Sequence, residues 1–412
     1  MPHLEGFWIK NFRALKQCAI GSCYLQFVYV DEDLSQQQYE LSPVTALIGR
    51  NGTGKSTILD AFVFIGDCMK LGVEDACLKR GGFESIYSQD STGPLSFGFN
   101  FRPTPDSEIL TYVVNIDFGA GNRPYVETEL LAYRAESVES FKMPFLFFQN
   151  GEKIVRHLLT TGKISDEISQ IERTDMRHLG ITLLGNLRDY PIAGEVKNFF
   201  TNYYLSASQE NHRTFMPPSM VPETVNPRGE GLVSLLRYCQ KEYPAKFQGI
   251  LNRIAAKIPN VEMIDIDKGM QNRLSLAVKK KNFSIPFYGH QLSEGFLKLL
   301  TYCCLLEEPT PVSLVGIDEP ENGLDPLFLK LFLTEVFGET QETGYPQFLV
   351  ATHFHELANW MAPMDVWILE ATKDGFTRAQ RGSDYPILRD RVRNNQPVGD
   401  SWYSDFCDQA EE

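Results

Sequence analysis

Hydrophobic positions change their period along the chain, and each change marks a new kind of element. The run Val44-Thr45-Ala46-Leu47-Ile48 is apolar enough for a buried strand and breaks at Gly49. Beyond a Gly-rich stretch, Ile58, Ala61, Phe62, Ile65 and Met69 recur at helical spacing. From Leu95 to Arg134 the period falls to two, through Phe97, Phe99 and Phe101, then Tyr112, Val114 and Ile116, then Tyr125 onward. That alternation predicts an antiparallel sheet with turns at Pro103-Thr104-Pro105 and Gly119-Ala120-Gly121. Phe145-Leu146-Phe147-Phe148 and Ile154-Val155, around Asn150-Gly151, add a hairpin.

Residues 160–258 read as mostly helical, with a break from Met216-Pro217-Pro218 through Pro222 and Pro227. No heptad pattern is sustained there, so a compact helical insertion is expected rather than a long coiled coil. Strands resume near Val261–Asp267 and Arg273–Val278, followed by an apolar helix over Leu297–Leu306. Val312–Ile317 and Phe348–Ala351 read as core strands, and Val366–Leu369 as a short one before a loop and an acidic tail. The fold class is α/β. A first lobe (1–158) carries a mixed core sheet with flanking helices and an antiparallel β subdomain, then comes the helical insertion (159–258), then a second lobe (259–412). No internal repeat or low-complexity segment interrupts this order.

Composition narrows the class. A chain of 412 residues can bury one large core or two modest ones. Its hydrophobic share of 43% and charged share of 22% are ordinary for a soluble globular protein. No apolar run approaches the roughly 18 residues of a bilayer span, and the N-terminus has no basic start or cleavage site. A cytoplasmic protein without membrane partners is expected. The eight cysteines form no C-x-x-C pair and no Cys/His ligand spacing, which fits reduced, partly buried thiols. A net charge of −14 argues against a broad nucleic-acid-binding surface, although a local basic groove is compatible with it. In the one dense basic cluster, Lys279-Lys280-Lys281, a solvated hairpin turn is favoured over a phosphate contact.

The chemistry begins at residues 49–56, which read Gly-Arg-Asn-Gly-Thr-Gly-Lys-Ser. Gly49, Gly52 and Gly54 let the backbone curl until successive N–H groups, those of Asn51 and Thr53 among them, face phosphate oxygens. Lys55 reaches the β- and γ-phosphates, the Ser56 hydroxyl can ligate Mg²⁺, and Thr57 continues the first helical turn. The helix then aims its N-terminus at the anion. A plain Gly-rich turn is the bland alternative. Strand, loop, Lys-Ser and helix in this order favour a nucleoside triphosphate.

A second group follows the strand Val312–Ile317, which ends in Asp318-Glu319-Pro320. An acidic pair at the C-terminal end of a buried strand stands where ligands bind in open α/β sheets. Asp318 can hold Mg²⁺, and Glu319 can orient and deprotonate an attacking water. A carboxylate capping the next helix is the bland reading of the same residues.

Two further stretches complete a pattern: His290-Gln291-Leu292-Ser293-Glu294-Gly295-Phe296 before the apolar helix, and Thr352-His353 after the strand Phe348–Ala351. With these the chain resembles the ATP-binding-cassette (ABC) ATPase heads of the SMC and RecF kind, across about 1–80 and 285–370. Asn11-Phe12-Arg13 resembles the N-terminal strand and Arg of RecF-like heads, while "IDEPENGLDP" and "THFHEL" look most like bacterial ATPases related to the OLD family. The resemblance implies ATP and Mg²⁺ as cofactors. Lys55, Ser56 and the loop backbone would hold the nucleotide, Asp318 the metal, and Glu319 would be the general base. His353 would sense the γ-phosphate. Ser293 and Gly295 would cap the γ-phosphate of the opposite subunit in a head-to-tail homodimer, and Asp325 would lie in the loop that links the two sites. Arg13 is open between a nucleotide contact and a solvated strand-end residue. The Gln loop of ABC heads has no compelling counterpart; Gln89 is the nearest in position.

The leading reading is an ATP-hydrolysing dimeric switch acting beside a separately encoded effector, a nuclease or toxin, in anti-phage defence or DNA processing. Roughly 40 residues after the last core strand are too few for a nuclease domain, so such an activity is expected in another polypeptide. The alternative is a RecF-like DNA-binding loader, which needs a basic groove and steeply salt-dependent DNA binding. A nucleotide-stabilised scaffold would not need Glu319, and a small-molecule P-loop kinase would need neither Ser293-Glu294-Gly295 nor His353.

Overall fold

A computed structural model describes residues 2–23, 40–104, 106–119, 123–133, 146–149, 152–155, 176–206, 236, 240–241, 243–258, 260–268, 274–288, 291–306, 312–324, 326–339, 346–385, 388 and 397–403. The chain forms two compact units, Met1–Tyr203 with Ala351–Glu412, and Tyr204–Val350.

The first unit opens with β1 (His3–Phe12) and β2 (Leu15–Gly21), then β3 (Val44–Gly49) and α1 (Lys55–Leu71). Two short helices follow, α2 (Val73–Leu78) and α3 (Phe83–Ile86). Next come β4 (Leu95–Arg102), β5 (Leu110–Phe118), β6 (Pro124–Tyr133), β7 (Leu146–Gln149) and β8 (Glu152–Val155). These strands make a seven-stranded sheet in the order β2-β1-β4-β5-β6-β7-β8, with antiparallel neighbours throughout. Its register sets Phe7 opposite Phe99 and Phe99 opposite Tyr112, all three fully buried.

Helix α1 lays Phe62 on that row, 5.0 Å from the Phe7 ring and 5.3 Å from Phe99. Helix α4 (Gly180–Leu184) leads to α5 (Pro191–Thr201), which brings Phe200 to 4.6 Å from Phe99 and Phe199 to 4.7 Å from Phe101. Each ring sequestered this way contributes about 1.5–3 kcal/mol, so this aromatic layer fixes α1 on the sheet. The buried Glu129 carboxylate accepts hydrogen bonds from the Tyr112 hydroxyl and the Gly180 and Ile181 amides at 2.5–3.0 Å, anchoring the start of α4 to β6.

Strand β3, buried along its whole length, pairs in parallel with β15 (Val366–Ala371), which pairs antiparallel with β16 (Thr377–Arg381). Sequence patterning misses β16. Thr-Arg-Ala-Gln-Arg has little apolar content, and its backbone pairing with β15 makes it a strand.

The second unit starts with β9 (Tyr204–Ser206) and α6 (Pro244–Lys257). An antiparallel sheet of β10 (Val261–Lys268), β11 (Leu274–Lys280) and β12 (Phe287–Tyr288) follows. Then come α7 (Glu294–Leu306), β13 (Leu314–Asp318) and α8 (Pro326–Glu339). Strand β13 pairs in parallel with β9, a three-residue strand too short for any period to reveal. Tyr302 of α7 packs 4.9 Å from Phe332 of α8, and its hydroxyl shares a 2.8 Å hydrogen bond with Ser206. Strand β14 (Gln347–Thr352) leads the chain back into the first unit, where α9 (His355–Ala358) begins.

The expected antiparallel strands over Leu95–Arg134 are present as β4 to β6, and those flanking Asn150-Gly151 pair antiparallel as β7 and β8, with that turn outside the described residues. In the predicted helical stretch, α4, α5 and α6 are helices, and the proline-rich break lies outside the described residues. No helix among the described residues is long and apolar enough to cross a membrane.

Candidate nucleotide-binding site

In the first unit the phosphate loop joins β3 to α1. Gly54 caps α1 with a left-handed φ of 93°, and a Cβ there would stand 2.3 Å from Thr377 Oγ1 and 3.3 Å from Leu15 Cδ2. Glycine is required by both conformation and space. Asn51 and Gly52 are exposed at the loop tip, Thr53 is buried, and its hydroxyl donates to the Arg50 carbonyl at 2.9 Å. The Lys55 side chain is buried beneath the loop, its ammonium donating to the carbonyls of Gly49 at 2.8 Å and Arg50 at 2.7 Å. Neutral carbonyls hold that charge at the loop mouth, where phosphate oxygens are stronger acceptors. Ser56 is exposed on the first turn of α1 and Thr57 is half-buried beside it.

Arg13 occupies the β1–β2 corner with φ 50°, its guanidinium 3.0 Å from Asp60 on α1. Asp60 also accepts both ends of a fork from Arg80 at 2.8 and 3.1 Å, and Arg80 reaches Asp67 at 2.8 Å. Burial opposes the Arg80 charge, but Asp60 and Asp67 outweigh it and hold the guanidinium pKa above its ordinary value. Arg13, half-exposed, belongs to an ion network on α1. Gln89 is exposed in the turn after Ser88, whose hydroxyl donates to the Arg13 carbonyl at 2.7 Å. His353, also in this unit, is exposed just past β14, where the Thr352 hydroxyl accepts from the Phe354 amide at 2.9 Å.

The second unit brings the acidic pair and the signature stretch together. Asp318 ends β13, and Glu319 follows in the left-handed region at φ 51°. Asn322 donates its side-chain amide to Glu319 Oε2 at 2.5 Å and its backbone N–H to the Glu319 carbonyl at 3.0 Å. Ser293 caps α7: its hydroxyl accepts from the Phe296 amide at 3.3 Å. Gly295, in the first turn of α7, leaves no room for a Cβ, which would lie 2.4 Å from the Gly323 carbonyl. Lys298, 2% exposed, donates to the Asn322 carbonyl at 2.6 Å and pairs with Glu294 at 3.2 Å. Asp325 lies outside the described residues.

Sequence reasoning passed over Thr377, Asp60, Arg80, Asn322 and Lys298. One signal was available, since Lys298 is the single charge within the apolar stretch Leu297–Leu306. The lysine cluster is committed locally: Lys279 pairs with Glu262 at 3.2 Å and Lys280 lies 4.9 Å from the Phe287 ring centroid. Cys18, Cys23, Cys68 and Cys77 are buried free thiols, Cys303 is buried too, and burial pushes the Cys18 and Cys77 thiols up to about 12.

Ser56 and Asp318 offer hard oxygen donors, and no cluster of three His, Cys, Asp or Glu able to hold a metal occurs among the described residues. Each of the two is the kind of oxygen that Mg²⁺ accepts, since it takes one or two from protein and completes its shell with phosphate and water.

A family profile described as "AAA domain, putative AbiEii toxin, Type IV TA system" matches residues 44–117 and 242–357. It therefore spans both the phosphate loop and the acidic strand. Among solved structures, an SMC head bound to the C-winged helix domain of ScpA is 13% identical with a TM-score of 0.54, covering 92% of this chain and 97% of that one. An SMC head with an extended coiled coil, bound to the C-terminal domain of ScpA from Pyrococcus furiosus, is 12% identical with a TM-score of 0.51, covering 95% and 100%. No curated protein matches the chain. At these identities the likeness is one of fold: the chain has the α/β fold of SMC-type, ABC-class heads.

Proposed function

We propose that the protein hydrolyses ATP with Mg²⁺ and works as a homodimeric switch on a separately encoded partner. Lys55 and the loop amides bind the triphosphate, Ser56 and Asp318 hold the metal, and Glu319 takes the proton of the attacking water. Mg²⁺ held there would neutralise charge developing on the phosphates. His353 reads the γ-phosphate, while Ser293 and the α7 N-terminus meet the γ-phosphate held by the other subunit. Asp325 joins the two sites through its loop.

The observation that carries hydrolysis, beyond nucleotide binding, is the Glu319 backbone. A non-glycine residue at φ 51° costs on the order of 1–3 kcal/mol and persists where the surroundings enforce it. Here the Asn322 side-chain amide holds the carboxylate, and its backbone N–H holds the Glu319 carbonyl. A scaffold that only binds nucleotide has no use for a strained, oriented carboxylate. The partner reading is supported by the similar SMC heads, which are bound to domains of ScpA. The toxin system named in the family description supports a defence setting, and the location proposed with it is the cytoplasm.

The test is ATP turnover and self-association of the wild type and of Glu319→Gln. The expected result is loss of turnover by about 10²–10⁴-fold with accumulation of an ATP-bound dimer. A variant that hydrolyses normally, or that stays monomeric when saturated with ATP, overturns the assignment.

A further inference from the structure

The loop after β13 is packed backbone to backbone against the first turn of α7. A Cβ on Gly295 would strike the Gly323 carbonyl at 2.4 Å, and one on Gly323 would lie 3.3 Å from the Glu294 carboxyl carbon. Lys298 bolts the two together. Its ammonium is almost wholly buried, donates to the Asn322 carbonyl at 2.6 Å, and is balanced by Glu294 one turn back at 3.2 Å. A buried ammonium is costly unless its bonds are satisfied, so Lys298 fixes where Asn322 sits. Asn322 in turn holds Glu319 through its side-chain amide at 2.5 Å and its N–H at 3.0 Å.

We infer that Lys298 and Asn322 are positioning residues that tie the signature turn of α7 to the Glu319 carboxylate, so that an anion engaging Ser293 aligns the base of the same subunit. This rests on Glu319 being the base. The chain of contacts is short: α7 moves Lys298, Lys298 moves the Asn322 carbonyl, and Asn322 turns the carboxylate. A shift of about 1 Å in a reacting group can cost on the order of a hundredfold in rate, so small motion of α7 suffices to switch Glu319 on or off. One subunit would then become competent only when its signature turn is occupied.

The experiment compares Asn322→Ala, Lys298→Met, Lys298→Arg and the Ala/Met double variant of the full chain, measuring kcat, KM and fluorescent-nucleotide binding against protein concentration. Asn322→Ala removes an exposed side chain and should fold normally, which keeps the test independent of the buried Lys298. The expected result is a fall in kcat of about tenfold in each of Asn322→Ala and Lys298→Met, with nucleotide affinity within about twofold of wild type. The protein concentration giving half-maximal turnover should be unchanged, and the double variant no worse than either single one, because both break the same relay. Lys298→Arg, which keeps the donor and the charge, should recover part of the rate. Wild-type kcat in Asn322→Ala, additive losses in the double variant, or a loss confined to nucleotide affinity would overturn the relay. Full turnover by Glu319→Gln overturns the base and the relay together, whereas an inactive Glu319→Gln beside a fully active Asn322→Ala overturns the relay alone.

Discussion

The Thr377 hydroxyl donates a 2.9 Å hydrogen bond to the buried Thr53 carbonyl, and the same oxygen would lie 2.3 Å from a Cβ placed on Gly54. The phosphate loop is therefore shaped from outside its own motif, by an edge strand more than three hundred residues away in sequence. Thr377 also donates its amide to the Ala14 carbonyl at 2.9 Å, so β16 holds both the loop and the Arg13 corner. Thr377→Val keeps the volume but leaves the Thr53 carbonyl without this donor, at a cost of about 1–2 kcal/mol. A fall in Tm of a few degrees is expected, with nucleotide affinity weakened several-fold. Gly54→Ala meets both the clash and the φ of 93°, so fluorescent-ATP binding should drop by about a hundredfold or more. Unchanged binding in the alanine variant would show that the loop tolerates a different backbone.

Arg80 is 6% exposed and answers two carboxylates, Asp60 and Asp67, the latter itself only 9% exposed. Removing it as Arg80→Met leaves Asp60 to Arg13 at 3.0 Å and Asp67 to Lys79 at 2.7 Å, so the loss should be about 1–3 kcal/mol, below the roughly 3–5 kcal/mol of a buried charge left without a partner. Arg80→Lys should recover only part, because one ammonium cannot reproduce the fork that reaches Asp60 through two nitrogens. Urea unfolding measures this. Adding Asp60→Asn and Asp67→Asn to Arg80→Met should restore some of the lost stability, and no recovery would mean that packing, not charge, dominates the site.

What the amino-acid order made legible was whatever depends on neighbours in sequence. The loop from Gly49 to Ser56, the alternation through Phe97, Phe99 and Phe101, and the apolar approach to Asp318 each carry their pattern within a few residues, and each is present as β3 and α1, β4, and β13. What stayed hidden depends on residues far apart. Thr377 sits in a strand held by pairing alone, and Asp60 gains meaning only beside Arg13 and Arg80. Asn322 looked like an ordinary turn residue, because nothing in its surroundings in sequence reveals that Lys298 holds its carbonyl. The strain at Glu319 is likewise invisible until the backbone is traced.

His3 gives a pH dependence with a definite sign. Its ring nitrogen Nε2 is bonded to the Leu41 carbonyl at 3.0 Å in a half-buried setting. Burial lowers its pKa below the usual 6.5, with the Leu41 carbonyl and the Glu40 charge opposing that shift. The unfolded chain therefore takes up a proton near pH 6.5, while the folded protein does so only at lower pH. Between those two values the unfolded state binds more protons, so stability is lost as pH falls through the window. On going from about pH 7.5 to about pH 5.5, the wild type should lose more Tm than His3→Gln, which has no proton to take up. Equal losses in the two proteins would remove His3 from the account.

Ser293 serves two ends, and charge separates them. As the cap of α7 its hydroxyl accepts from the Phe296 amide at 3.3 Å, so Ser293→Ala should cost about 1 kcal/mol of stability. Ser293→Asp retains an acceptor at the cap and adds favourable charge at a helix N-terminus, so its Tm should match or exceed the wild type. If Ser293 meets a phosphate of the opposite subunit, that same carboxylate repels it. In a Glu319→Gln background, Ser293→Asp should then bind ATP normally as a monomer yet fail to form the ATP-dependent dimer in sedimentation experiments. Stability and assembly would move in opposite directions, which no purely structural cap can produce. A Ser293→Asp protein that dimerises with ATP as readily as its parent would assign Ser293 to capping alone.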